Sequence, residues 1–148
     1  MLKFDGNQTG LLVLTMLLLT FSVGSTAAER PNIVFIFSDD HAVSAVSAYG
    51  DSLVETPNID RIAAGGIRFD RAYVGNAICG PSRATLLTGL HSHANGFYSN
   101  EWSGPFDGEQ QTLSSLLQGA GYQTAVIGKW HLYSDPVGFD HWDVIDNV

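Results

Sequence analysis

Only one cysteine, Cys79, stands among the 148 residues. A lone thiol excludes an intrachain disulfide, so no covalent staple supports this fold. Basic residues are scarce: seven Lys and Arg face fifteen Asp and Glu, for a formal net charge of −8. That balance argues against nucleic acid and against anionic membrane surfaces as partners. It leaves room for an anionic substrate, because a site answers to its local charges. The sequence also lacks internal repeats and low-complexity stretches. Its longest apolar run, Leu11 to Val23, is short for a membrane span.

What is present begins with a segment that reads as a secretory signal peptide, residues 1–28. Lys3 gives a weakly positive start, and the apolar run is broken only by Thr15, Thr20 and Ser22. Small residues Gly24 to Ala28 then suit cleavage after Ala27 or Ala28. No cysteine follows the run, so a lipid anchor is not indicated. Cleavage would remove the glycosylation sequon Asn7-Gln8-Thr9. The mature chain is then expected to be exported, to a periplasmic, extracellular or lysosomal destination, with no membrane association.

The rest is organised around Ala77 to Gly89, which contains Cys79, Pro81 and Arg83. Gly80 is expected as helix N-cap, Pro81 at the first helical position and Gly89 just past the end. Cys79 would then lie at a helix N-terminus, where the dipole and unpaired N–H groups favour negative charge. Arg83, about one turn on, adds a fixed cation. On its own, a single cysteine equally reads as a small buried hydrophobe. The polar, turn-rich Cys-Gly-Pro-Ser-Arg string is poor core composition, and an unpaired exported thiol is a liability unless used or modified.

The thirteen residues from Ala77 to Gly89 resemble the signature of the formylglycine-dependent sulfatases, Cys-x-Pro-Ser-Arg with a Leu-Thr-Gly ending. Gly121 to His131 resembles the second signature of that family, and Pro31 to His41 its opening strand and metal site. Three matches in the right order and spacing are spread over most of the exported chain. The resemblance implies an alkaline-phosphatase/sulfatase-like α/β fold, with a mostly parallel central sheet flanked by helices, here incomplete. It also implies that Cys79 is oxidised by a formylglycine-generating maturation enzyme to Cα-formylglycine. Asp39, Asp40 and residue 79 would bind Ca²⁺, with Mg²⁺ as the alternative. Arg83 would hold the aldehyde hydrate, Lys129 would bridge it to a sulfate oxygen, and His131 would take the proton that releases sulfate.

Residue patterns give parallel expectations. Ile33 to Phe37 is a continuous run of β-branched and aromatic residues, expected as a strand buried on both faces. It ends in Asp39-Asp40-His41, and in open α/β sheets ligand sites sit at the carboxyl ends of strands. Two adjacent carboxylates suit either an exposed turn or a hard cation. Thr56-Pro57 starts a short scaffold helix ending at Gly65-Gly66. His91 and His93 are expected in a loop, without the supporting ligands of a zinc site. Residues 98–111, with Trp102 and Phe106, are expected as a surface loop. Thr112 to Gln118 is expected as a helix with Leu113, Leu116 and Leu117 at core spacing. Tyr122 to Ile127 is expected as a second buried strand, with Lys129 and His131 beyond its carboxyl end. Tyr133 stands where the resembled family commonly has glycine, and would narrow the pocket or point away. The closing Gly138-Phe139-Asp140-x-Trp142 string resembles sulfatases that act on glycosaminoglycan or other glycan sulfates.

The expected function is therefore a sulfuric ester hydrolase acting on a sulfated small molecule or glycan. The alternatives are a phosphomonoester or phosphonate hydrolase of the same superfold, and an inactive secreted glycan-binding fragment. Residues 29–148 are expected to be the N-terminal part of a sulfatase catalytic domain. The further Asp, the Asn or Gln, and the second His and Lys of the family pattern are absent from them. A divalent cation needs six or more oxygen ligands, so this chain alone is expected to show little or no activity.

Overall fold

A computed structural model describes residues 30–50, 53–101 and 103–145. The signal-peptide expectation, the sequon and Trp102 lie outside these residues. The chain divides into two units, Met1–Phe37 and Ser38–Val148.

In the first unit the described residues carry no strand: 33–37 have no ladder assignment and their apolar side chains are exposed. Phe35 and Phe37 touch each other, ring centroids 6.0 Å apart. The expected buried strand is therefore corrected. A doubly apolar run is a strand only where neighbouring strands and covering helices exist on both sides.

The second unit runs through two 3₁₀ turns, Val43–Ala45 and Ser47–Tyr49, then α1 (Pro57–Gly65), α2 (Cys79–Thr88), α3 (Ser92–Asn95), α4 (Leu113–Gly119), β1 (Ala125–Lys129) and β2 (His141–Ile145). Helix α1 starts as its sequence dictates, with Thr56 as N-cap and Pro57 first. Thr56 Oγ1 donates to Asp60 Oδ1 at 3.0 Å, and Ser47 Oγ to Asp60 Oδ2 at 2.7 Å. No α1 residue is buried, so its Ile59 and Ile62 face serves no core here.

Helix α4 has the expected N-terminus. Thr112 and Ser115 form a reciprocal capping box, each side chain bonded to the other's backbone N–H. Its packing differs from expectation. Leu113 and Leu116 are exposed, while Thr112 and Ser114 are buried. The buried face is polar because it is pinned by hydrogen bonds: Ser114 Oγ donates to the Val137 carbonyl at 3.0 Å. Leu113 and Leu116 are left without cover among the described residues, and Leu117 is half-buried.

Strands β1 and β2 form a two-stranded parallel sheet, Ala125 opposite His141 through Lys129 opposite Ile145. β1 starts three residues later than expected and is only half-buried, with Ile127 exposed. β2 was not anticipated. The core consists of Ala84, Phe97, Phe106, Trp130 and Leu132, with Leu87, Val126, Phe139 and Val144 packed on it. Phe106, within the expected surface loop, is a packed core ring, edge-on to Phe97. This core joins α2 to the exit of β1, and so brings two distant sequence segments to one place.

Candidate active site

The Cys79 turn has its own local logic. Helix α2 starts at Cys79 with Ile78 as N-cap, two residues earlier than expected, and ends at Gly89, whose φ of 68° suits glycine. Ser82 N–H closes the first turn on the Ile78 carbonyl at 2.8 Å. Pro81 falls in that first turn, where its missing N–H costs nothing. Isoleucine has no side-chain oxygen to cap the freed N–H groups. Asn100 supplies one from a distant loop: its Oδ1 accepts the Gly80 N–H at 3.0 Å. A Cβ at Gly80 would lie 2.6 Å from Phe97 Cε1, 2.8 Å from the His131 carbonyl oxygen and 2.9 Å from Asn100 Oδ1. Only glycine fits beside Cys79. Asn100 is the residue that sequence reading missed, and the uncappable Ile78 was the signal for it.

Cys79, Asp39, Lys129 and Arg83 come together. Cys79 Sγ lies 3.6 Å from Asp39 Oδ1. Lys129 Nζ donates to Asp39 Oδ2 at 2.5 Å. Arg83 Nη1 donates to the Lys129 carbonyl at 2.7 Å, fixing the end of β1 to helix α2. The Lys129 hydrogen bond holds the Asp39 carboxyl below its ordinary 3.8, and the same bond raises the Lys129 ammonium above its ordinary 10.5. Carboxylate and ammonium are thus both charged at neutral pH, beside a thiol at a helix N-terminus. The site stands at the carboxyl end of a parallel strand, with Lys129 as the last residue of β1 and not beyond it as expected, and with His131 past it.

Among the described residues three non-glycine residues have left-handed backbone, and all are in this region: Asp40 (φ 50°), His131 (φ 57°) and Tyr133 (φ 55°). Such conformations persist where surrounding contacts over-determine them, and they cluster at functional sites. His131 is buried, its backbone carbonyl packed against Gly80, and its Nε2 lies 3.3 Å from the Tyr133 hydroxyl. Asp40 is exposed and makes no hydrogen bond or ion pair among the described residues. His91 and His93 stack on each other at the start of α3, both exposed.

Asp39 and Asp40 are hard oxygen donors, and Asp39 turns one oxygen toward residue 79. That set suits calcium or magnesium. It fits as part of a coordination shell only: among the described residues no three His, Cys, Asp or Glu side chains gather as metal ligands.

Residues 31–144 match the family model for sulfatases. The chain belongs to the sulfatase family. The family's named members are sulfuric ester hydrolases. It is 59% identical over 117 residues to an N-acetylglucosamine-6-O-sulfatase of Bacteroides thetaiotaomicron, a match covering 79% of this chain and 21% of that protein. It is 39% identical over 135 residues to human N-acetylgalactosamine-6-sulfatase, covering 80% of this chain and 26% of that protein. A solved structure in complex with its substrate D-glucosamine-2-N,6-O-disulfate superposes with a TM-score of 0.74 at 60% identity, covering 77% of this chain and 23% of that one. The fold is thus α/β and alkaline-phosphatase-like, here with a small parallel sheet. The chain spans between a fifth and three-tenths of the length of these relatives.

The Gly138 to Trp142 string of this sulfatase sequence has a structural explanation. Gly138 (φ 80°) passes so close to α4 that a Cβ would meet Ser115 N at 2.6 Å. Phe139 packs edge-on to Trp130, centroids 6.1 Å apart. Asp140 accepts from Thr124 N–H at 2.7 Å and Gln118 Nε2 at 3.0 Å. The string clamps the entry of β1 to α4 and β2. No helix among the described residues is long and apolar enough to cross a membrane.

Proposed function

We propose that this sequence carries the nucleophile side of a sulfuric ester hydrolase site, acting on sulfate esters of amino-sugar glycans. The observation that carries the reading is the cluster of Cys79, Asp39 and Lys129 at the junction of a helix N-terminus and a parallel-strand end. The substrate class is supported by relatives named for hexosamine 6-sulfates and by the disulfated glucosamine bound to a structural neighbour.

A sulfate ester is anionic, so a site for it must gather cations and N–H groups and must provide a nucleophile and a proton acceptor. Oxidised by a maturation enzyme, residue 79 would supply an aldehyde hydrate: one hydroxyl to attack sulfur and a second whose proton loss frees sulfate. Asp39 and Asp40 would hold part of the shell of a calcium ion, or magnesium, which when bound polarises the sulfate group. Arg83 holds the Lys129 carbonyl and keeps its positive charge beside residue 79. Lys129 orients a sulfate oxygen by charge and hydrogen bonding. His131 accepts the proton of the second hydroxyl. Residues 1–28 would direct export, to a periplasmic, extracellular or lysosomal compartment, and 29–148 would begin the catalytic domain.

The test is turnover of matched aryl sulfate and aryl phosphate by the full-length protein and its Cys79→Ala variant. Sulfate should be preferred and Cys79→Ala should abolish turnover. Near-normal activity in that variant would sink the assignment, and a phosphate preference would move it to a phosphomonoesterase.

A further inference from the structure

His131 has one ring nitrogen engaged and one bare. Its Nε2 lies 3.3 Å from the Tyr133 hydroxyl, with the two rings edge-to-face at 5.6 Å between centroids. The residue is 9% exposed, and its Nδ1 is buried without a hydrogen-bond partner among the described residues. A neutral imidazole carries one N–H and one lone pair, so the partner of one nitrogen decides what the other presents.

The backbone is arranged around this pair. His131 and Tyr133 are both left-handed, at φ 57° and 55°. Leu132 between them is fully buried, and its carbonyl accepts from Phe106 N–H at 2.9 Å. An L-residue with a Cβ resists this conformation. Two of them flank a core anchor and place the hydroxyl against the imidazole.

The direction of the hydrogen bond follows from burial. If Tyr133 donated to Nε2, the proton of His131 would sit on Nδ1 as a buried N–H without an acceptor, and such orphaned donors are rarer than bare acceptors. If the tyrosine oxygen accepts, Nε2 carries the proton and Nδ1 is a bare lone pair. Tyr133 is 37% exposed, so its own O–H can turn to water.

We propose that Tyr133 is a positioning residue: its hydroxyl oxygen accepts the His131 Nε2–H and so keeps the Nδ1 lone pair as the proton acceptor of the site. The geometry stands by itself; the kinetic consequence rests on the sulfatase reading above.

The test is nitrogen-15 NMR of histidine-labelled full-length protein at a pH where imidazole is neutral, with His131→Gln to assign the signal. The expected wild-type spectrum has Nε2 protonated and Nδ1 bare. Tyr133→Phe should give a mixture of tautomers and lower kcat about tenfold, a part of what a well-placed general base contributes. KM and the unfolding midpoint should stay within error. Tyr133→Gly, which removes the hydroxyl and relieves the backbone, should lose kcat equally without loss of stability. A protonated Nδ1 in the wild type, an unchanged tautomer in Tyr133→Phe, or an unchanged kcat would overturn the proposal. If the wild type hydrolyses no sulfate ester, the functional reading fails while the NMR still decides the pairing.

Discussion

Replacing Gly80 with alanine should destabilise the protein and disable the site together. The new Cβ would stand 2.6 Å from the Phe97 ring edge, 2.8 Å from the His131 carbonyl oxygen and 2.9 Å from Asn100 Oδ1, against the 3.4 Å at which ordinary contact begins. Phe97 is almost fully buried and the carbonyl belongs to the backbone, so neither yields cheaply. Overpacking of this kind costs about 1–3 kcal/mol. Displacing Asn100 from the Gly80 N–H costs about a further 1 kcal/mol. The gain in helix propensity from glycine to alanine offsets at most about 1 kcal/mol, and less at the second helical position. The net expectation is a loss of about 2 kcal/mol. Urea unfolding followed by tryptophan fluorescence reports it, because Trp130 is 4% exposed in the core. Phe97→Leu removes the nearest ring edge, so the double variant should be more stable than the two single losses predict, by about 1 kcal/mol. A Gly80→Ala midpoint equal to that of the wild type would refute the packing reasoning.

Other perturbations test the supports of the site. Lys129→Ala should reduce turnover by at least about a hundredfold, the scale of one lost charge-stabilising donor, yet cost under about 1 kcal/mol because the ion pair is partly exposed; activity and thermal unfolding measured together check both halves. Thr112→Ala should cost about 1–2 kcal/mol by breaking the capping box, with Thr112→Ser restoring most of it in thermal unfolding. Asp140 is held below its ordinary 3.8 by the Thr124 N–H first, then by the Thr124 hydroxyl and Gln118. Its contribution to stability is thus complete above the ordinary carboxylate range and is lost as pH falls through the lowered folded value. Asp140→Asn should flatten the acid limb of stability against pH below about 4, and an unchanged acid limb would remove Asp140 from that role.

Much of the site was legible because it depends on local chemistry. The Cys-x-Pro-Ser-Arg string puts Cys79 at a helix start because proline tolerates the first turn, and Gly89 ends the helix because it accepts a left-handed φ. Lys129 lands at the end of a parallel strand because the β-branched run before it stops at Gly128. Thr112 caps α4 as its type requires, whereas Thr56 holds the N-cap position of α1 with its hydroxyl on the Asp60 carboxylate and not on a helix N–H. Features that depend on a partner elsewhere were not legible. Ile33 to Phe37 declares a need for burial without declaring what provides it. Leu113 and Leu116 have core spacing, yet the buried face of α4 carries Ser114, whose hydroxyl donates to the Val137 carbonyl twenty-three positions away. Asn100 reaches Gly80 across a loop, and loops carry no periodicity from which to read it. Tyr133 departs from glycine at a left-handed position, which marks a strain without revealing the contact with His131.

Whether residue 79 is the nucleophile in oxidised form is tested most directly by peptide mass spectrometry of catalytically active full-length protein. The account predicts a peptide in which the Cys79 side chain has lost sulfur and two hydrogens and gained one oxygen, and which labels with an aldehyde-reactive hydrazide. The modified fraction should track sulfate-ester turnover across preparations. Full turnover from protein whose residue 79 is entirely unmodified cysteine would contradict it.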